Sequence, residues 1–142
     1  MKIRNVVGSL ALVAVLGFVT TGCAKKSAST AGKAKGLQTV YFDFDRSDIR
    51  PDAADALKAN ANWLKNNKTK VTVEGSCDER GTPEYNIALG DRRANTTKKY
   101  LVNLGVDKDR LNTISYGEEK PVANCHDESC WTKNRRADFS SK

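Results

Sequence analysis

Between Val40 and Phe139 the spacing of apolar residues switches repeatedly between two and about 3.6, so strands and helices must alternate along the chain. Val40, Phe42 and Phe44 alternate with Tyr41, Asp43 and Asp45, the pattern of a half-buried strand with Phe44 on its inward stripe. Pro51 suits a helix's first turn, and Ala53, Ala56, Leu57, Asn60, Ala61 and Leu64 continue at helical spacing to Asn66-Asn67. Val71, Val73 and Gly75 alternate again. Thr82-Pro83-Glu84 reads as N-cap, first-turn proline and an acid at the positive end of the helix dipole. Ile87, Gly90, Ala94, Thr97, Leu101 and Leu104 then share a stripe that Gly105 stops. Ile114 and Tyr116 mark a third strand, and Ala137 and Phe139 a fourth, after a short helix near Glu128–Lys133. The order βαβαβ(α)β predicts an α+β fold: a mixed four-stranded sheet with helices packed on one face.

The pattern starts late because the first residues have another purpose. Lys2 and Arg4 precede fourteen uncharged, mostly apolar residues, Val6–Val19, then Thr20, Thr21, Gly22 and Cys23. That length suits a signal-peptide core and is short of a membrane span. The run resembles a bacterial lipoprotein signal, with Thr20 where an aliphatic residue usually stands; an ordinary secretory signal is the alternative. The lipoprotein resemblance implies cleavage after residue 22 and lipidation of Cys23. Ala24, in place of an inner-membrane-retaining Asp, implies the outer membrane as destination. Two or more acyl chains hold a protein at a bilayer essentially permanently.

Charge narrows the function. The chain carries 24 basic and 17 acidic residues, a formal +7. Six of the basic residues and none of the acids precede residue 37, so the remainder holds 18 bases against 17 acids. No basic face is left for nucleic acid. Residues 23–36 read as a small, polar, Lys-rich tether with an r.m.s. reach of roughly 20 Å, and residues 37–142 as one globular domain.

The richest segment is Glu74–Asn86 with its continuation through Leu89, Arg92-Arg93-Ala94 and Leu101. It resembles the OmpA-like C-terminal domain, whose helix motif is N-x2-L-S-x2-R-A-x2-V-x3-L. Asn86, Leu89, Arg93, Ala94 and Leu101 match, whereas Gly90 replaces the Ser and Thr97 the Val. The family's G-H-T-D loop survives here as Gly75, Ser76, Cys77 and Asp78. Val40–Asp45, Ser115–Pro121 and Asn134–Ala137 narrow the likeness to the peptidoglycan-associated lipoprotein family, over roughly residues 37–140 in unbroken order.

That resemblance implies a non-catalytic protein of the outer membrane, lipid-anchored and facing the periplasm. It implies non-covalent binding of peptidoglycan and a link between outer membrane and wall within the Tol–Pal system, with TolB and TolA as partners and a role in cell division; an OmpA-like wall-binding lipoprotein outside the Tol system is the alternative. The ligand it implies is the diaminopimelate side chain of the stem peptide, a zwitterion. A zwitterion needs one fixed anion and one fixed cation on a rigid frame. Asp78 can accept from its ammonium, and the fork of Arg93 suits its carboxylate as a Lys would not. The resemblance places Phe44 and Asp45 at the same site, and Leu89, one turn before Arg93, can wall it. Without the family, Asp78 reads as a turn cap, Arg93 as the partner of a neighbouring acid, and Phe44 as core. Tyr85 and Trp63 read as packing residues, and Glu79 and Arg80 as a solvated turn.

With Cys23 reserved for lipid, three cysteines remain. Cys125 and Cys130 can close a small disulfide loop in an oxidising compartment. Cys125, His126, Cys130 and Cys77 form a weaker zinc alternative, since adjacent residues rarely ligate one ion well. A Cys77–His126 nucleophile–base pair is the only enzymatic arrangement on offer. The expectation is no metal, no cofactor and no catalysis.

Overall fold

The structure is a computed structural model and describes residues 32–141. The expected signal (residues 1–22) and the expected lipidation at Cys23 lie outside the described residues. No helix among those described is long and apolar enough to cross a membrane.

Strand β3 (Val71–Ser76) is central. It pairs in parallel with β4 (Leu111–Gly117) and antiparallel with β5 (Arg136–Ser141), so the sheet is mixed as expected. Two short strands, β1 (Gly32–Lys33) and β2 (Val40–Tyr41), share the outer edge of β5. Five strands therefore replace the expected four. The extra one falls inside the segment read as tether: Ala34 and Leu37 are buried, and the Ala34 N–H donates to Phe139 O at 2.9 Å. The fold thus takes in residues before 37.

Helix α1 (Pro51–Asn66) buries Ala53, Leu57, Asn60, Ala61 and Leu64. These pack with Leu101 and Ala94 of α2 (Pro83–Asn103), with Val71 and Val73, and with Phe139 in one core, so both long helices cover the same sheet face. Full burial of such aliphatic side chains contributes about 1.5–3 kcal/mol each. Thr82 caps α2 by accepting from the Tyr85 N–H at 3.2 Å. At its other end Gly105 takes φ +92, its N–H reaching Val102 O and that of Val106 reaching Leu101 O. That double bond pattern needs the left-handed residue glycine supplies. Helix α3 (Glu128–Asn134) starts at Asp127, whose carboxylate accepts from the Ser129 N–H.

Two expectations about faces are corrected. The first strand stops at Tyr41, because the Arg46 N–H turns back to Asp43 O and Asp45 adopts a left-handed φ of 55. Phe44 is thereby thrown off the inward stripe and is 55% exposed. Ile87 is also exposed. The buried face of α2 instead carries Asn86, Leu89, Gly90, Arg93, Ala94, Thr97 and Leu101, so two strongly polar side chains sit where Ile87 was expected.

The strands run from one pole of the domain to the other. Val71 lies beside Ser141, and Ser141 beside Gly32; Ser76 lies beside Arg136 at the other end. The chain enters the sheet at one pole, and the loops after β2 and β3 meet at the opposite pole.

Candidate functional site

At that opposite pole a cleft of about 190 Å³ opens between the β2–α1 turn, the β3–α2 loop and the first turns of α2. Phe44, Asp45, Asp78, Leu89 and Arg93, the five residues expected at one site, all line it. Cys77, Arg80 and Tyr85 line it too.

Arg93 is fully buried at the cleft floor. Its Nε donates to Arg46 O at 2.9 Å, Nη1 to Ser76 O at 2.9 Å and Nη2 to Asp43 O at 3.1 Å. The guanidinium thus stitches the β2–α1 turn to the end of β3. It makes no ion pair among the described residues, contrary to the ordinary expectation for an Arg on a helix stripe. Burial pulls its pKa down; nearby Cys77 and Asp78 oppose that pull. Carbonyl dipoles hold the guanidinium without cancelling its net charge, and the side chain lines the cleft.

Asp78, at the end of β3, is 4% exposed and already engaged. One oxygen accepts from the Arg80 N–H at 3.0 Å and from Arg80 Nε at 3.2 Å; the other accepts from Arg80 Nη2 at 2.7 Å and Arg135 Nη1 at 3.3 Å. Burial alone would raise its pKa, but the hydrogen bonds from Arg80 and then Arg135 hold it below the ordinary carboxylate value. Asp78 is both a turn cap and an ion-pair partner.

Arg80 is not a solvated turn residue. Its guanidinium lies between two rings, 3.9 Å from the Phe44 centroid and 4.0 Å from that of Trp131. Glu79 accepts from Trp131 Nε1 at 3.0 Å and pairs with His126 Nδ1 at 2.7 Å. Tyr85 goes beyond packing as well: its hydroxyl donates to the Asp45 carboxylate across the cleft mouth. Trp63, in contrast, is a packing residue against the core. Asn86, a motif residue with no site role expected of it, donates to Asp78 O, Arg80 O and Glu118 Oε2 and so fixes the β3–α2 loop. Arg135 joins Asp78 to Glu128. Its presence in the Asn134–Ala137 stretch was the only sequence signal for that role.

Cys125 and Cys130 form a disulfide with Cα atoms 5.5 Å apart. That pairing takes two of the four donors from the zinc alternative, and no metal-sized cluster occurs among the described residues. Cys77 is free and buried, and its thiol donates to Asn86 O at 3.3 Å. Burial, the main cause, pushes that thiol up to about 11, with Arg93 opposing. His126, the other half of the conceivable nucleophile pair, is turned to Glu79.

The OmpA family model matches residues 41–135. The chain is 47% identical over 119 residues to the peptidoglycan-associated lipoprotein of Pseudomonas putida, covering 84% of this chain and 72% of that one. To the peptidoglycan-associated lipoprotein of Haemophilus influenzae it is 46% identical over 145 residues, covering 96% and 95%. The crystal structure of the peptidoglycan-associated lipoprotein from Burkholderia pseudomallei superposes with a TM-score of 0.70 at 42% identity, covering 73% of this chain and 89% of that one. With the mixed sheet, the two-helix layer and the N-x2-L…R-A helix all in place, this chain belongs to the OmpA family and, within it, to the peptidoglycan-associated lipoproteins.

Proposed function

We propose that the chain binds peptidoglycan non-covalently through this cleft and links the outer membrane to the wall as part of the Tol–Pal system. Asp78 receives the ammonium of the diaminopimelate side chain, and Arg93 its carboxylate. Leu89 and Phe44 supply apolar walls, and Asp45 a second acceptor at the mouth. The observation that carries this reading is the pairing of a buried, acid-free guanidinium with a buried carboxylate in one cleft, which is the charge pattern a zwitterionic tail requires. Hydrogen bonds to charged groups contribute about 1.5–3 kcal/mol each, so two or three give moderate affinity. A wall that repeats its stem peptide, and a membrane anchor at Cys23 that keeps the domain close, supply the remainder as effective concentration.

Binding rather than catalysis is supported by Cys77, whose burial and raised pKa oppose thiolate formation, and by the commitment of His126 to Glu79. Lipidation of Cys23, residence in the outer membrane, and TolB and TolA as partners belong to the same proposal.

The test is co-sedimentation with purified sacculi, comparing wild type with Asp78→Ala and Arg93→Ala, each first shown to be folded by circular dichroism. Wild type pellets with the wall and both variants stay in the supernatant. Folded variants that pellet like wild type overturn the assignment. Retention of TolB on the immobilised chain tests the Tol assignment, and mass spectrometry of the mature N-terminus tests the lipid.

A further inference from the structure

Both groups assigned to the ligand are covered, Arg93 being fully buried and Asp78 4% exposed. What covers Asp78 is chiefly Arg80, whose fork engages both carboxylate oxygens, with the Arg80 N–H on Oδ1 at 3.0 Å and the Arg135 Nη1 on Oδ2 at 3.3 Å beside it. A ligand ammonium and Arg80 therefore compete for one acceptor. Arg80 also has a second acceptor within reach. Its Nη2 stands 2.7 Å from Asp78 Oδ2 and 3.7 Å from Glu128 Oε2. Glu128 is held in place because its other oxygen is bonded to Arg135. Flat rings on either side, Phe44 and Trp131, guide the guanidinium plane without fixing it at one point, since a cation over a ring face is attracted with little directional demand.

We propose that Arg80 is a two-position latch: it occupies Asp78 in the free chain and passes to Glu128 when a ligand cation takes its place. This rests on the reading of Asp78 as the ammonium acceptor. The exchange conserves ion pairs, because the ligand gains Asp78 while Arg80 keeps Glu128 and shortens its 3.7 Å separation from it. It also lowers apparent affinity by the fraction of time the latch is closed, so a latch open one time in ten costs about tenfold. Binding is thereby kept reversible. Phe44 acquires a second use, as one of the two guides.

The experiment is calorimetric titration of the full chain in detergent with a soluble disaccharide-peptide fragment of the wall that carries free meso-diaminopimelate. Arg80→Gln tightens binding about tenfold, and Arg80→Lys, which keeps charge but loses the fork, tightens it less. Glu128→Gln weakens binding in the presence of Arg80 and has no effect in the Arg80→Gln background. In a Trp63→Phe background, ligand changes the emission of Trp131, and Arg80→Gln abolishes that change. Unchanged or weaker binding by Arg80→Gln overturns the latch, as does a Glu128→Gln effect that persists without Arg80. Asp78→Ala in the same titration separates the two claims: wild-type affinity there defeats the reading of the site, whereas lost affinity beside an unchanged Arg80→Gln defeats the latch alone.

Discussion

Gly75 in β3 and Gly90 in α2 meet backbone to backbone: a Cβ on Gly75 would stand 1.9 Å from the Gly90 carbonyl oxygen. A Cβ on Gly90 would in turn stand 2.3 Å from Ser115 Oγ. This contact sets how far α2 sits from the sheet, and with it the distance from Arg93 to the carbonyl of Ser76. The replacement of the family's Ser by Gly90 therefore falls where the space for a side chain is already taken by Ser115.

Gly75→Ala forces α2 away from β3. It lowers stability by about 1–3 kcal/mol, as overpacking does, and weakens wall binding because Arg93 loses its carbonyl ladder. Gly32→Ala, whose Cβ meets nothing within 4 Å, leaves the melting temperature unchanged. Thermal unfolding of the two variants beside wild type checks both.

The stabilisation from Asp78 depends on acid pH in one direction. Its folded pKa lies below the ordinary value of 3.8, so its contribution is fully present above that value and fades as pH falls through the lower folded one. Asp78→Asn removes the charge. The gap in melting temperature between wild type and this variant stays constant near neutrality and narrows below about pH 4. A gap that widens in acid contradicts the assignment.

Cys77 resists alkylation in the folded chain. With its thiol near 11 instead of 9.0, the thiolate fraction at pH 8 is about a hundredfold below that of a free thiol, and burial slows attack further. Iodoacetamide labels Cys77 only once denaturant is added. Fast labelling of the native chain at pH 8 refutes this.

The Cys125–Cys130 bond closes a short loop immediately before and within α3. Loop-closure entropy for so few residues corresponds to about 2 kcal/mol. Reduction, or Cys130→Ser, lowers the melting temperature accordingly. It also weakens wall binding modestly, since Glu128 and Trp131 lie within or beside the loop. Melting and sacculus pelleting, with and without reductant, read the two effects separately.

Where backbone pattern decided the outcome, the sequence was legible. Pro51 and Thr82-Pro83 mark the helix starts, Gly105 marks the stop of α2, and the odd positions of β3 face the core. It was illegible where a polar group is satisfied by distant backbone. Arg93 occupies a core position through carbonyls of Asp43, Arg46 and Ser76, contacts that no periodicity records. Phe44 misled because alternation assumes the strand continues, and the left-handed Asp45 ends that assumption. Strand β1 escaped notice because a two-residue ladder is held by main-chain bonds and needs no apolar pattern. Among the site residues, Asp78, Arg93 and Leu89 were read from motif positions, whereas Arg80, Tyr85 and Arg135 also matter through partners far away in the chain: Phe44 and Trp131 for Arg80, Asp45 for Tyr85 and Asp78 for Arg135.

Gly32 lies against Ser141, at the pole remote from the cleft. A tether ahead of residue 32 and a ligand held in the cleft, as proposed, would therefore pull the same strands lengthwise in opposite directions. Ladder bonds between antiparallel strands run across that axis, so β1 and β5 meet the tension in shear and their bonds share it together instead of peeling singly. Under the proposed anchoring, the domain would act as an in-line coupling, loaded along its strands.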